Sequence, residues 1–246
     1  MLKKKLLVAA LVAAFAAPAM AEEASPFSAN VSITSDYLYR GISQTGRGPA
    51  IQGGFDYAHP SGLYAGVWGS SISWLQDAGI ATHASTELDT YAGYKGAVGD
   101  IAYDAGFLRY NYPGDYAGNT KANTNELYGA VSYSIITAKL SYSLGDTFGV
   151  NDAAGTVYYE LNASYALEEL GLSLGAHLGR QDYKGSNAGA GATNLSYTDY
   201  KLSASKDVGG YVLGLAFSDT NASAAYTVLN KKLGKSTVVA SLSHSF

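Results

Sequence analysis

Segment after segment of this chain alternates apolar and hydrophilic residues with a period of two. Leu172, Leu174, Ala176 and Leu178 hold one parity, and Ser173, Gly175, His177 and Gly179 hold the other. Val157, Tyr159, Leu161, Ala163 and Tyr165 oppose Tyr158, Glu160, Asn162 and Ser164 in the same way. So do Leu140, Tyr142 and Leu144 against Lys139, Ser141 and Ser143, and Leu127, Gly129, Val131 and Tyr133 against Glu126, Tyr128, Ala130 and Ser132. A strand points successive side chains to opposite faces, so each such segment is a strand with one apolar and one hydrophilic face. Twelve of them are centred near residues 34, 54, 68, 91, 105, 129, 141, 161, 177, 202, 214 and 241. Their second face is too polar for a sandwich core or a buried parallel strand.

The links between segments decide among the remaining antiparallel folds. Long links rich in Gly, Asn and Asp fall near 41–49, 75–85, 112–123, 145–155, 183–196 and 218–235. Between them lie short ones: Ala58 to Gly62, Gly96 to Gly99, Ser134 to Thr137, Leu167 to Gly171 and Asp207 to Gly210. Strict alternation of long and short links predicts an all-β, transmembrane, antiparallel up-and-down barrel of about twelve strands, with short periplasmic turns and long outer loops. An even strand number returns both termini to one side. Amphipathic rings near strand ends fit the girdles of such a wall: Tyr159 and Tyr165 on one strand, then Tyr37, Tyr39, Phe55, Tyr57, Tyr94, Tyr133 and Tyr211, all read as outward.

An exported protein is what this architecture requires, and the first residues supply the address. Lys3, Lys4 and Lys5 precede an uncharged apolar run from Leu6 to Ala17, Pro18 breaks it, and Ala19-Met20-Ala21 offers small residues for cleavage. Twelve apolar residues rise about 18 Å as a helix, short of a bilayer core of roughly 30 Å. Residues 1–21 therefore read as a cleavable secretory signal, and 22–246 as a single barrel domain whose destination is the outer membrane of a Gram-negative cell. Removing the three leader lysines from 16 basic and 20 acidic residues leaves 13 against 20, a net charge of −7. A chain so acidic offers no surface for nucleic-acid phosphates. The absence of cysteine excludes disulfide staples and thiolate zinc sites.

The chain ends on a strand in which Val238, Ala240, Leu242 and Phe246 share one face. This resembles the terminal strand by which outer-membrane proteins are handed to periplasmic chaperones and the barrel-assembly machinery, although His244 departs from the apolar residue usual at that place. The opening block is more specific. Val31-Ser-Ile-Thr-Ser-Asp-Tyr-Leu-Tyr-Arg-Gly-Ile-Ser-Gln, then Gly53-Gly-Phe-Asp-Tyr and Gly62-Leu-Tyr-Ala-Gly-Val-Trp-Gly-Ser, resembles the start of the TorF family of proteobacterial exported barrels. That resemblance implies an outer-membrane barrel regarded as a porin by its architecture, embedded in outer-membrane lipid; the family has no catalytic residues assigned, so none are carried over, and no cofactor is expected.

Function then rests on the lumen. Eight strands leave an interior filled by side chains and sixteen to eighteen leave an open channel, so twelve predict a narrow bore set by the inward residues. Many of these are small: Ser32, Thr34, Ala130, Ser132, Ser141, Ser143, Ser164, Ser173, Gly175, Gly179, Ser203 and Ser205. The candidate pore-lining set is Asp36, Arg40, Glu87, Asp89, Tyr91, Lys95, Glu126, Tyr128, Lys139, Tyr158, Glu160, His177, Asp199 and Lys201. Its carboxylates fall toward the outer half, among Arg40 and Lys201, and Lys95 and Lys139 toward the periplasmic half. The expectation is passive diffusion of small hydrophilic solutes or ions with a weak cation preference at the outer mouth; paired charges that merely brace the wall are the alternative. Tyr91, Tyr128 and Tyr158 could form a slide for sugar rings or simple bulk. Two other classes stay open: a barrel hydrolase of lipid or peptide, and a non-conducting structural or adhesive barrel acting through its outer loops. Of the histidines, His59 falls in a turn, His83 in an outer loop, His177 in the lumen and His244 on the outward face of the last strand; no nucleophile elbow or metal-ligand spacing accompanies them.

Overall fold

The computed structural model describes residues 25–118, 121–188 and 194–246. The leader read from residues 1–21 lies outside the described residues. Twelve strands form the wall: β1 (Phe27–Thr34), β2 (Ala50–Ala58), β3 (Leu63–Ser71), β4 (Thr86–Val98), β5 (Ile101–Asn111), β6 (Thr124–Tyr133), β7 (Ile136–Ser143), β8 (Val157–Leu167), β9 (Leu172–Asp182), β10 (Tyr197–Val208), β11 (Tyr211–Thr220) and β12 (Thr237–Ser245). Each pairs antiparallel with its neighbours in chain order, and β1 pairs with β12 to close the barrel. The seam runs from Asn30 opposite Ser245 to Thr34 opposite Ser241. Phe246 extends it, its N–H donating to the Ala29 carbonyl at 2.8 Å. Closure leaves no edge strand in the wall, so every ladder has a partner on both sides.

All twelve expected segments are strands, and the links sort as read. One end of the barrel carries the turns 59–62, 99–100, 134–135, 168–171 and 209–210; the other carries the loop residues 35–49, 72–85, 112–118 with 121–123, 144–156, 183–188 with 194–196, and 221–236. Gly209 and Gly210 have φ of 68° and 86°. That geometry is the tight hairpin turn whose twist matches right-twisted strands, and it needs residues without a Cβ penalty.

Burial is inverted relative to a soluble barrel. Leu202 (61% exposed), Ile51 (61%) and Leu215 (56%) stand on the outer wall with Ile33, Leu161 and Leu213 beside them. The inward face of the same strands holds Ser141, Asn162, Asp199 and Ser218, all buried. A wall apolar outside and polar inside is stable where its surroundings are hydrocarbon, and backbone groups facing hydrocarbon must all be paired within the wall.

The apolar core lies at the loop end. There Tyr37, Leu75, Tyr110 and Tyr112 are buried together, with Trp74 and Phe148 packed against them. Short pairings knit the loops: Leu38–Tyr39 with Ile42–Ser43 inside the first loop, Ala81–His83 with Asp115–Tyr116 between the second and third, and Thr227–Val228 with Lys231–Lys232 inside the last. Tyr37 and Tyr39 are therefore not girdle residues, as their sequence position suggested. β1 ends at Thr34, and beyond it the chain turns inward, so the parity of the strand no longer applies. Replacing mid-wall Leu202 by Arg places a charge in hydrocarbon; the expected loss is about 2–4 kcal/mol, measured by urea unfolding from lipid vesicles.

Candidate functional site

The site is the lumen at and below the first loop. That loop is a hairpin whose two turn residues, Arg40 (φ 48°) and Gly41 (φ 77°), adopt the left-handed backbone that a two-residue hairpin turn requires. Gly41 meets that demand at no steric cost, and Arg40 is carried to the tip. From there its guanidinium reaches both flanking walls: Nη2 donates to Glu126 Oε2 on β6 at 2.8 Å, and Nη1 to Gln181 Oε1 on β9 at 2.8 Å. Its plane lies 4.3 Å from the Tyr158 ring and 4.8 Å from the Tyr39 ring. Burial works against its charge, but Glu126 together with Tyr39 and Tyr110 outweighs that and holds its pKa above the ordinary arginine value.

The base of the hairpin is fixed as firmly. Asp36 accepts from Ser43 Oγ at 2.6 Å and Thr45 Oγ1 at 3.1 Å, and burial pushes its carboxyl above the usual range against those hydroxyls and Arg47. Tyr37 donates its hydroxyl to Glu87 Oε1 at 2.9 Å, and the Tyr39 hydroxyl donates to that of Tyr110 at 2.8 Å. The other oxygen of Glu87 and one oxygen of Asp89 are buried without a partner among the described residues.

From Glu126 a chain of polar contacts runs on around the lumen. Tyr158 donates to Asp199 Oδ1 at 3.0 Å. His177 lies 2.8 Å from Asp199 Oδ2 through Nε2 and 2.6 Å from Asn162 Oδ1 through Nδ1. Asn162 donates to Glu160 at 3.1 Å, and Lys139 stands 3.8 Å from Glu160. The Lys139 ammonium covers the Tyr128 ring at 4.7 Å, Tyr128 and Tyr64 meet through their hydroxyls, and Tyr64 donates to Asp104 at 2.6 Å. Lys95 lies over the Tyr64 ring at 5.5 Å, and Tyr91 donates to Asp56 at 2.6 Å.

Two placements differ from the sequence reading. Lys139 and Glu160 are register partners at one level rather than members of separate halves, because β7 starts opposite Ala163 and leaves the last four residues of β8 beyond its end. Asp36 sits inside the first loop rather than on the wall. Lys201 lies opposite His177 and Ser218 on the inward parity of β10, and among the described residues it makes no ion pair. Tyr64, Asp56 and Asp104 belong to the same network and lie outside the candidate set, although the parity of β3, β2 and β5 alone assigns them inward.

The inward tyrosines lie flat on the wall. A Cβ on Gly106 would meet Tyr128 Cζ at 2.6 Å, and one on Gly66 would meet Tyr91 Cζ at 2.6 Å. Each ring therefore covers a glycine of the neighbouring strand and takes up wall area instead of bore. Carboxyl groups at Asp56, Glu87, Asp89, Asp104, Glu126, Glu160 and Asp199 outnumber the cations Arg40, Lys95, Lys139 and Lys201 in this space.

The fold and lumen define a transmembrane β-barrel of twelve strands. The chain belongs to a family of bacterial proteins of unknown function, Gcw_chp, whose model matches residues 19–246. No protein with a curated description matches it. Among solved structures it is similar to the KdgM porin, at 10% identity and a TM-score of 0.54 over 89% of this chain and 99% of that one. A KdgM porin in complex with disordered oligogalacturonate is similar at 8% identity and a TM-score of 0.51, over 89% and 98%. Acinetobacter baumannii OccAB1 follows at 13% identity and 0.47, over 92% and 66%.

Removing Arg40 leaves Glu126 buried without its cation. Arg40→Ala is expected to cost about 3–5 kcal/mol, whereas the double variant Arg40→Met/Glu126→Leu stays close to neutral. Urea unfolding of both variants in vesicles, with limited proteolysis of residues 35–49, checks the pair.

Proposed function

We propose that this protein is an outer-membrane, porin-like channel that passes small ions and small hydrophilic solutes, and that the hairpin held by Arg40 narrows its loop end. The observation that carries the reading is the inverted wall: apolar side chains outside, with small hydroxyl, glycine and charged side chains inside a closed barrel. Residues 1–21 are the export signal, and the strand ending at Phe246 is the element that chaperones and the assembly machinery read. The resemblance to the TorF family and the shared fold of the KdgM porin support the same assignment.

Charge narrows the choice of solute. Oligogalacturonate, present in one KdgM structure, is a polyanion. The lumen here carries more carboxylates than cations, so it repels such chains and favours cations, with neutral solutes next. Tyrosines lying on glycines present little face to a sugar ring, which weighs against a slide. A hydrolase fits poorly, since the hydrogen-bond partners of His177 among the described residues are Tyr158, Asn162 and Asp199, with no serine or threonine hydroxyl to activate.

One observation favours a second reading, a non-conducting structural barrel. The loop-end core and the Arg40 network bury Glu87, Glu126 and Asp199 almost completely. Planar-bilayer recording under a KCl gradient separates the two. The channel reading expects small steps that reverse toward the cation potential and grow larger in Arg40→Ala. A barrel that stays silent even when residues 37–43 are replaced by a short glycine link supports the structural reading and removes the channel.

A further inference from the structure

The outer wall is apolar along most of its height, yet β5 turns an arginine outward near the loop end. Arg109 shares the parity of Ile101, Tyr103 and Phe107, all exposed on the outside. It lies eight residues beyond Ile101, about 27 Å along the strand and about 20 Å in height at a tilt near 40°. That is close to the upper border of an apolar band roughly 25 Å tall, where headgroups begin.

The guanidinium is aimed, not loose. Nε donates to Asn111 Oδ1 at 2.7 Å, and Nη1 donates to Asn125 Oδ1 at 2.9 Å. Both partners are neutral amides on the same outward face of β5 and β6, so they fix the plane without cancelling its charge. Of the five N–H groups of an arginine, three remain without a partner among the described residues. No carboxylate stands within 4 Å of it among those residues, in contrast to Arg180, the outward arginine of β9, which lies 3.8 Å from Asp182. The outside surface here is a groove of about 500 Å³ whose lining includes Leu88, Thr90, Arg109, Asn111 and Lys121. Its apolar side is Leu88, its polar side is the arginine fork, and Lys121 adds a second cation.

We propose that this groove is a binding site for the headgroup phosphate of an anionic lipid, the phosphorylated glycolipid of the leaflet at the loop end. A planar fork held by neutral amides presents paired N–H groups to a phosphate, and an alkyl chain continues down over Leu88 and Phe107 on the apolar wall. The proposal rests on the outward face lying in an outer membrane and is independent of whether the lumen conducts.

Native mass spectrometry of the full-length barrel, titrated with diphosphorylated lipid A and with the same lipid stripped of its phosphates, tests it. Wild type should bind the phosphorylated form about tenfold more tightly or better. Arg109→Ala should lose that preference, Arg109→Lys should keep part of it, and Arg180→Ala should keep all of it. Equal binding of both lipids by wild type, or an unchanged preference in Arg109→Ala, overturns the proposal, and the wild-type comparison needs no variant to fold. A protein that fails to enter vesicles contradicts the membrane reading, whereas one that enters but ignores the phosphates contradicts this site alone.

Discussion

Every peptide group of a wall that faces hydrocarbon needs its hydrogen bond from the protein itself, and the rest of this structure depends on that requirement. A sheet meets it only by closing, which here is done by the pairing of β1 with β12. The last residue takes part, since the Phe246 N–H reaches Ala29 across the seam. Closure also fixes the parity of every side chain, because one ring of ladders admits no independent slip of a single strand. Period-two sequence thereby becomes a two-faced wall, with leucine, isoleucine and tyrosine on one side and hydroxyl and charge on the other.

The same closure creates an interior that must hold charges at low exposure. A buried carboxylate alone is costly, and several of the wall charges are brought to a partner. Glu126 has Arg40, Asp199 has His177 and Tyr158, and Glu160 has Lys139 and Asn162. Arg40 differs from the rest because it arrives from a loop. Its hairpin links the loop-end core to the polar wall below, and the two tyrosines flanking its cation exclude water from one side while Glu126 and Gln181 satisfy the other. The bore at that level is therefore a property of the hairpin as much as of the wall. Glycines beneath Tyr91 and Tyr128 work in the opposite sense, since they let bulky rings lie along the wall and leave space beside it.

Much of this was legible in the chain. The strands were read correctly because alternation and turn residues are local signals, and Gly209-Gly210 or the hydrophobic parity of Leu172 to Leu178 needs nothing distant to be interpreted. Inward parity likewise placed Glu87, Glu126, Tyr158 and Asp199 on one face. Tyr37 and Tyr39 were misread as outward girdle residues for a physical reason: parity holds only while the ladder continues, and Thr34 is the last residue of β1. The role of Arg40 was illegible, since its partners Glu126 and Gln181 lie far along the chain and only the closed barrel brings them together. Lys139 opposite Glu160 has the same origin, in a register that strand length and parity do not specify.

Because the chain contains no cysteine, single cysteines can report each position of the wall without background. Cysteines placed singly at Leu161, Asn162, Ala163 and Ser164 on β8, and at Ser173 and Leu174 on β9, in protein reconstituted into vesicles, test the inverted wall most directly. A small charged thiol reagent is expected to modify positions 162, 164 and 173, while positions 161, 163 and 174 react only with a lipid-soluble maleimide. Uniform modification of both parities by the charged reagent would contradict a wall that faces lipid on one side and water on the other.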